Sequence, residues 1–473
     1  MGSYEQFDEM VKNAAEAFNR VDKKDVIRLI SHLDADGISA ASLMIKLFNI
    51  DNRKYSVSIV QQLNRNILTQ LASEPYSCFV FTDIGSGVIN EIKDLLKGKK
   101  VFILDHHSFE VIDDSGDIVL VNPHLCGIDG GKEISGAGVV FKFACSVNKS
   151  MEDLAHIAII GAIGDLQEHN GFLKLNNGIL QLAVHKGSIR VERGLRIFGH
   201  QTKPLHKALE YCTDPFIPGV SGSESGAIQF LHQIGVDPKN RNGWKKIVHL
   251  DDNDMKKLVT GIIMKRFNEA NPDDVLGNIY ILPHEEEESP TRDAKEFATL
   301  LNACGRLGRA SLGIGACLGD KKIKQQAIRS LSDYKKEIVN ALNWYNENKF
   351  SDDIFWGKGF VIINARNNVM STMVGTLASI LSKSNVMTNN TFILSMAQSL
   401  DGITKISLRS STNLGSLLDL RKVIEEAIQG IGNSEAGGHQ YAAGAVVPTD
   451  KEQEFIETAK EVLGKYAAIE KVG

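Results

Sequence analysis

Apolar runs of strand length alternate with amphipathic stretches over the first part of the chain. The apolar runs lie at 26–30, 78–82 and 101–104, and apolar residues at helical spacing over 38–48 predict a helix. This alternation continues from about residue 24 to 195. It is typical of a parallel sheet with helices on both faces, so the expected fold class is α/β.

The pattern changes in the rest of the chain. A stretch rich in Pro, Gly and Ser at 213–224 is typical of a connection, and helical spacing over 226–270 predicts a mainly helical insertion. Long helices are expected at 331–348 and 369–381, the second of them opened by Arg366, Asn367 and Asn368. The expected domains are a parallel-sheet domain at 1–212, a helical insertion with connecting region at 213–350, and a smaller α/β domain at 351–473.

Acidic and histidine residues follow four of the buried segments in the first domain. Because the carboxyl ends of strands in an α/β sheet converge on one crevice, we expect these groups to form one site. So many carboxylates need a compensating positive charge, and oxygen and nitrogen ligands suit two Mn²⁺ or Mg²⁺ ions better than a zinc site built on thiolates. The residues are His32, Asp34, Asp36, Asp83, Asp105, His106, His107 and Asp165.

Each cluster has a commonplace alternative when it is taken alone. Asp34-Ala35-Asp36-Gly37 is the composition of a turn or a helix cap, and Asp165 is suited to cap a helix. The glycine pair Gly437-Gly438 with His439 is typical of a hairpin. The four acidic clusters together, each after an apolar segment, favour a two-metal hydrolase.

The motifs HLDADG, TD, LDHH and GAIGD resemble those of the DHH phosphoesterase family. The segment GGHQYAAG at 437–444 is similar to the signature of the DHHA1 substrate-binding domain, and LNACGR at 301–306 is similar to a region of RecJ-type exonucleases. The resemblance covers nearly the whole chain and is most specific to archaeal RecJ-like nucleases of the GINS-associated type. It implies a DHH domain, a helical insertion and a C-terminal DHHA1 domain.

The resemblance also implies residue roles. Asp34, with His32 as a further ligand, holds the first of two Mn²⁺ ions, for which Mg²⁺ is an alternative. Asp36, His106 and Asp165 hold the second ion, and Asp83 bridges the two. Asp105 orients ligands and His107 faces the scissile phosphate. The implied substrate-binding residues are Arg306, Arg409, Ser410, Gly437, Gly438 and His439.

The function that the resemblance implies is an exonuclease in DNA replication or repair. It removes nucleotides from single-stranded DNA, or from RNA, with 5′→3′ polarity as the family expectation. One alternative is an oligonucleotide or cyclic-dinucleotide phosphodiesterase, although those relatives resemble only the two signature domains. The other is a scaffold in a replication complex, with GINS as the partner and the helical insertion as the contact surface.

Composition limits these choices. A net charge of −5 and a pI of about 6.2 give no overall attraction to nucleic acid, which counts against a passive DNA-coating protein. Six scattered cysteines without a CxxC pair fit a reducing compartment, and none falls within the four motifs. The first residues lack the apolar core of a signal peptide, and no segment has 18 consecutive apolar residues. A cytoplasmic protein without a membrane span is therefore expected.

Overall fold

The computed structural model describes residues 2–109, 117–168, 171–241, 243–384, 387, 390–411, 418–432 and 434–469. The chain divides into two compact units, Met1–Ser330 and Leu331–Gly473.

The first unit contains a sheet of five parallel strands in the order β2-β1-β3-β4-β5. Its strands are β1 (Val26–His32), β2 (Lys54–Val60), β3 (Cys78–Thr82), β4 (Lys100–Leu104) and β5 (Ile118–Val121). The helices of this part are α1 (Ser3–Asn19), α2 (Ala35–Ile50), α3 (Arg65–Ser73), α4 (Ile89–Leu95), α5 (Gly136–Val147) and α6 (Ala155–Gly164).

Helices cover both faces of this sheet because successive side chains of each strand point to opposite sides. On one face, Phe79 and Phe81 of β3 join an apolar cluster with residues of α3 and α4. On the other face, Phe102 of β4 packs edge-on against Phe18 of α1, whose ring also contacts that of Phe143 in α5. The predicted α/β fold with a doubly covered parallel sheet is confirmed.

The middle of the chain is mainly helical. Its strands are β6 (Arg190–Leu195), β7 (Lys239–Asn240), β8 (Gly243–Trp244) and β9 (Leu276–Ile281). Its helices are α7 (Lys174–His185), α8 (Leu205–Glu210), α9 (Glu224–Gln233), α10 (Asp252–Lys265), α11 (Ala294–Arg306), α12 (Ala310–Cys317) and α13 (Lys321–Asn348). One apolar cluster joins residues from Leu195 to Val275, so the expected domain boundary after residue 212 falls inside a continuous core.

The second unit is a six-stranded mixed sheet in the order β10-β11-β12-β13-β15-β14. Its core includes side chains of β12, β13 and β15 packed with those of the two last helices. The elements are β10 (Ile354–Gly357), β11 (Phe360–Asn364), α14 (Val374–Ser382), β12 (Phe392–Gln398), β13 (Ile403–Ser410), α15 (Leu420–Ile428), β14 (Glu435–His439), β15 (Ala442–Pro448) and α16 (Glu452–Ile469).

Two helix predictions need correction. Helix α13 begins at Lys321, ten residues earlier than expected. Helix α14 begins at Val374, and Arg366 does not open it. Arg366 instead has a left-handed backbone (φ 45°) and forms an ion pair of 2.8 Å with Asp353. Throughout the described residues, each helix is too short or too polar to cross a membrane.

Candidate metal centre and substrate-binding residues

The HLDADG segment forms the turn from β1 into α2. Asp34 caps the helix by accepting a hydrogen bond from the backbone N–H of Gly37 (2.9 Å). Gly37 has to be glycine because a Cβ there would overlap the carbonyl oxygen of His32. Asp36 lies in the first turn of α2. The buried Asp36 carboxylate accepts from the backbone N–H groups of Gly136 (2.6 Å) and Ala137 (3.0 Å), at the N-terminus of α5.

The other ligand candidates follow β3, β4 and α6. Asp83 comes directly after β3 and has a left-handed backbone (φ 56°), uncommon for a residue with a side chain. His106 follows β4 after Asp105. Asp165 caps the C-terminus of α6. The ends of β1, β3 and β4 and the C-terminus of α6 thus bring the four motifs together, as predicted for one crevice.

The other five residues assigned to the metals converge around Asp83. One Asp83 oxygen lies 3.2 Å from Nε2 of His106, and the other lies 3.6 Å from Nδ1 of His32. Nε2 of His106 is also 3.2 Å from Asp165 and 3.7 Å from Asp36. Nδ1 of His32 is 3.0 Å from Asp34. Two ligand sets contain only residues assigned to the metals, His32 with Asp34 and Asp83, and Asp36 with His106 and Asp165. A third group that could hold an ion joins Asp83 and His106 to Asp105 and His107.

Asp105 and His107 are placed differently. The Asp105 carboxylate is buried and accepts from the backbone N–H groups of Ser86 (2.9 Å) and His106 (2.8 Å). It also lies 2.8 Å from Nδ1 of His107. Asp105 therefore holds the turn and the His107 ring, while His107 remains about one-third exposed beside the cluster.

The donor atoms fit divalent cations. Both Asp83 oxygens, His32 Nδ1 and His106 Nε2 are buried and have no hydrogen-bond partner among the described residues. Buried polar atoms normally have partners, so atoms left open and pointed at one another call for a ligand. Carboxylate oxygens with imidazole nitrogens suit Mn²⁺ or Mg²⁺.

The pKa values of the clustered side chains also favour bound cations. Burial raises the pKa of Asp36 well above its usual value, and the charges of Asp83 and Asp165 raise it further. Burial also raises the pKa of Asp165 to about 6. For His32 and His106, burial lowers the pKa, but the surrounding carboxylates outweigh it and leave both values well above that of free histidine. The cluster therefore carries an excess of negative charge that bound cations would offset.

The NACGR segment contacts the HLDADG turn directly. Asn302 of α11 accepts a hydrogen bond from the backbone N–H of Ala35 (3.0 Å). Gly305 lies so close to Leu33 that a Cβ would overlap the Leu33 carbonyl oxygen. Arg306, the last residue of α11, is half-buried immediately after this contact. Within this segment Arg306 was predicted to bind substrate, and the clearest observed role of the segment is to hold the turn that carries Asp34 and Asp36.

The expected substrate-binding residues near the C-terminus lie in the second unit. Arg409 of β13 donates to the hydroxyls of Ser379 (3.1 Å) and Ser407 (3.0 Å). Because successive residues of a strand point to opposite faces, Ser410 lies on the same face of β13 as the core residue Leu408 and on the opposite face from Arg409. The structure therefore does not bring the side chains of Ser410 and Arg409 together.

The glycine pair forms the predicted hairpin. Gly437 pairs with Gly444 of β15, and Gly438 has φ +125° where a Cβ would overlap the carbonyl oxygen of Ala442. The space above Gly437 is open. The backbone of His439 ends β14, and its side chain is outside the described residues.

Three residues behind the cluster were missed by the sequence analysis. Nδ1 of His106 contacts the carbonyl oxygen of Gly130 at 2.7 Å, and Gln167 donates to the same oxygen. Asn176 donates in turn to Gln167. The available signals were the Gly130-Gly131 pair after β5 and the position of Gln167 two residues after Asp165.

Comparisons with known proteins identify three domains. Residues 26–163 match the N-terminal domain of the DHH family, 197–279 the DHH-CID domain, and 358–465 the DHHA1 domain. An uncharacterized protein from Methanocaldococcus jannaschii is 32% identical over an alignment of 449 residues that covers 93% of this chain and 93% of the relative.

Two solved structures share the fold. RecJ from Thermus thermophilus, crystallised with Mn²⁺, is 16% identical with a TM-score of 0.59. The match covers 97% of this chain and 55% of that RecJ, so this chain spans about half its length. CDC45 from Entamoeba histolytica is 11% identical with a TM-score of 0.63, over 96% of this chain and 99% of CDC45. The chain therefore belongs to the DHH family, and it combines the family's N-terminal domain with DHH-CID and DHHA1 domains in a RecJ-like fold.

Proposed function

We propose that this protein is a two-metal-dependent exonuclease that hydrolyses phosphodiester bonds of single-stranded DNA, with RNA as a second substrate class. The observation that carries the proposal is the convergence of buried, unpartnered carboxylate and imidazole atoms on one crevice of a DHH-family fold. The family supplies phosphoester hydrolysis as the reaction class. The 5′→3′ polarity and a role in DNA replication or repair are parts of the proposal that rest on the resemblance to RecJ-like enzymes.

The two ligand sets assign the ions. His32 and Asp34 would hold one, Asp36, His106 and Asp165 the other, and Asp83 would bridge them because each of its oxygens faces a different set. Manganese is the favoured ion, since two RecJ structures of this fold are named with Mn²⁺, and Mg²⁺, which is named with a third, is the alternative. When bound, such a pair lowers the pKa of a water and stabilises the attacking and leaving oxygens of an in-line displacement.

His107 has a separate role in this proposal. Burial lowers the pKa of His107, but the adjacent Asp105 carboxylate outweighs that effect and raises the pKa above the usual histidine value. The contact to Asp105 uses Nδ1 of His107, and the side chain is about one-third exposed. A protonated His107 would therefore donate a hydrogen bond to a phosphoryl oxygen as negative charge develops there.

The DHHA1 domain would bind the strand. Arg409 supplies a guanidinium suited to phosphate, and Gly437 leaves backbone accessible to an anion. Gly438 permits the hairpin conformation, and His439 and Arg306 remain proposed contacts from the resemblance. Ser410 is the weakest of the proposed contacts because its hydroxyl is buried on the core face.

A second candidate function is a scaffold in a replication complex, with GINS as the proposed partner. The observation that favours it is the fold shared with CDC45 over nearly the full length of both chains. The intact ligand set supports catalysis alongside any such role. A phosphodiesterase for oligonucleotides or cyclic dinucleotides is less favoured, because the DHH-CID domain adds a large insertion to the two signature domains.

The test is digestion of end-labelled single-stranded DNA, single-stranded RNA, duplex DNA and dinucleotides in Mn²⁺, with label at either end to read polarity. We expect processive shortening of single strands, and loss of at least about 100-fold in rate for Asp83→Ala. Asp94→Ala, at an exposed position of α4, is the matched control and should cleave at the native rate. Cleavage of dinucleotides alone would support the small-substrate alternative, and strand binding without cleavage in any divalent ion would favour the scaffold.

A further inference from the structure

A buried chain of amides lies behind the His106 ring, on the side away from the metal cluster. The carbonyl oxygen of Gly130 lies 2.7 Å from Nδ1 of His106 and 2.9 Å from the side-chain nitrogen of Gln167. The side-chain oxygen of Gln167 accepts from Asn176 at 2.7 Å. Asn176 is anchored by its own backbone N–H, which donates to the carbonyl of Glu133 (2.8 Å).

The donors and acceptors of these groups permit only one arrangement of the hydrogen bonds. A backbone carbonyl can only accept, so both His106 Nδ1 and the Gln167 nitrogen must donate to Gly130. With its nitrogen used there, Gln167 presents its oxygen to Asn176, whose NH₂ group completes the chain. If the Gln167 amide were flipped, its oxygen would lie against the Gly130 carbonyl oxygen. The hydrogen bond from Gln167 to Gly130 and the one from Asn176 to Gln167 would then both be lost.

This arrangement decides which nitrogen of His106 faces the cluster as a base. With the proton on Nδ1, the neutral ring carries its lone pair on Nε2, the atom that lies 3.2 Å from both Asp83 and Asp165. A histidine ligand whose other nitrogen donates to a carbonyl is held in the tautomer and orientation that metal binding needs. The Gly130 carbonyl therefore fixes the tautomer and orientation of His106, and the hydrogen bond from Gln167 holds that carbonyl in place.

Burial strengthens the hydrogen bonds between these amides. Asn176 is completely buried and Gln167 is 5% exposed, so water does not readily replace either amide. Hydrogen bonds in such surroundings are electrostatically stronger than in water. The space is also tightly filled, since a Cβ on Gly130 would overlap the carbonyl oxygen of His106.

We propose that Gln167 and Asn176 are positioning residues for the metal centre, which fix His106 with Nε2 toward the ions by way of the Gly130 carbonyl. Neither residue belongs to the four motifs, HLDADG, TD, LDHH and GAIGD. This inference rests on the proposed function only in requiring a metal at His106. It does not depend on which strand is cleaved.

The test compares Mn²⁺ affinity with stability in two variants of the full chain. Gln167→Met keeps the side-chain length but neither donates nor accepts, and Gln167→Glu keeps the acceptor for Asn176 but places a carboxylate against the Gly130 carbonyl. We expect Mn²⁺ affinity, measured by calorimetry, to fall by about 10–100-fold in both variants. Thermal unfolding of the metal-free proteins measures the structural cost separately.

Thr291→Val is the matched control. Thr291 is also completely buried in the first unit, and its hydroxyl donates to Glu285 (2.5 Å). This substitution should lower the metal-free unfolding temperature and leave Mn²⁺ affinity unchanged. Native-like affinity in both Gln167 variants, with lowered stability alone, would overturn the inference. If the native protein binds Mn²⁺ but cleaves no phosphodiester, the proposed function fails while the affinity comparison still decides the inference.

Discussion

Glycines shape the metal centre by allowing backbone and side chains to approach the carboxylates closely. Gly161 on α6 lies against Asp36, and a Cβ there would overlap its Oδ1 and come within 2.7 Å of the Ala137 Cβ. Gly136 plays the same part for Asp83, since a Cβ there would overlap that carboxylate. The position of each carboxylate therefore depends on residues that contribute no ligand atom.

Gly161→Ala should disturb the ligands more than the fold. The added methyl would push the Asp36 carboxylate from the amides of Gly136 and Ala137, and we expect Mn²⁺ affinity to fall by at least about tenfold. Overpacking of this kind costs about 1–3 kcal/mol of folding stability. Calorimetric titration with Mn²⁺ and thermal unfolding measure the two effects.

Gly178→Ala is the control for this substitution. Gly178 is in helix α7, and a Cβ there would meet nothing within 4 Å. It should stabilise the protein by up to about 1 kcal/mol through helix propensity and leave Mn²⁺ affinity unchanged. Equal Mn²⁺ affinity in the two variants would contradict the assigned role of Gly161.

At the scale of elements, α11 supports the turn between β1 and α2. The contact from Asn302 to the backbone of Ala35 links a helix more than 260 residues away in sequence to the segment that carries Asp34 and Asp36. The close approach of Gly305 to Leu33 fixes the distance between these elements. The NACGR segment therefore contributes to the geometry of the metal centre.

Asn302→Leu should leave the Ala35 N–H without its acceptor and loosen the turn. We expect strand cleavage to fall by about tenfold or more, because a displacement of about 1 Å at a catalytic centre costs up to about 100-fold. Asn302→Asp keeps the acceptor oxygen and should retain most of the activity. A native cleavage rate in Asn302→Leu, measured with labelled single-stranded DNA, would show that the contact is dispensable.

One face of β13 concentrates positive charge in the DHHA1 domain. Lys405, Ser407 and Arg409 alternate along this face, and burial lowers the pKa of Lys405 to about 8 although Glu435 opposes the shift. Lys405→Gln should weaken single-strand binding and reduce the slope of log affinity against log salt by about 0.7, the value for one phosphate contact. Lys451→Gln, at an exposed position, should leave the slope unchanged. An unaltered slope in Lys405→Gln would exclude the contact.

The elements show which features the sequence was able to predict. The four acidic motifs and the apolar segments before them were predicted because apolar runs and turn residues are local signals. The helical position of Asp36 was not, since it depends on the cap that Asp34 provides. The role of Gln167 and Asn176 depends on a hydrogen bond from Gln167 to the Gly130 carbonyl, 37 residues earlier in the sequence. The face on which Ser410 lies depends on strand register. Such long-range contacts leave little trace in local patterns.

At the scale of the whole molecule, the metal centre lies within the first of two compact units. Ions that bind the folded state stabilise it by mass action, and at 100 times the dissociation constant the gain is about 2.7 kcal/mol. We expect Mn²⁺ to raise the unfolding temperature of the transition that belongs to the first unit and leave the other transition in place. Calorimetry of native protein and Asp83→Ala assigns the transitions. An equal Mn²⁺ shift in the two proteins would contradict binding at the cluster.

The central claim is that two cations bind at the crevice around Asp83, and diffraction at the manganese absorption edge from crystals grown with Mn²⁺ tests it most directly. The account predicts two anomalous peaks about 3.5–4 Å apart, with Asp83 between them. One peak should lie beside His32 and Asp34, and the other beside Asp36, His106 and Asp165. Peaks elsewhere, or an empty crevice at saturating Mn²⁺, would contradict the account.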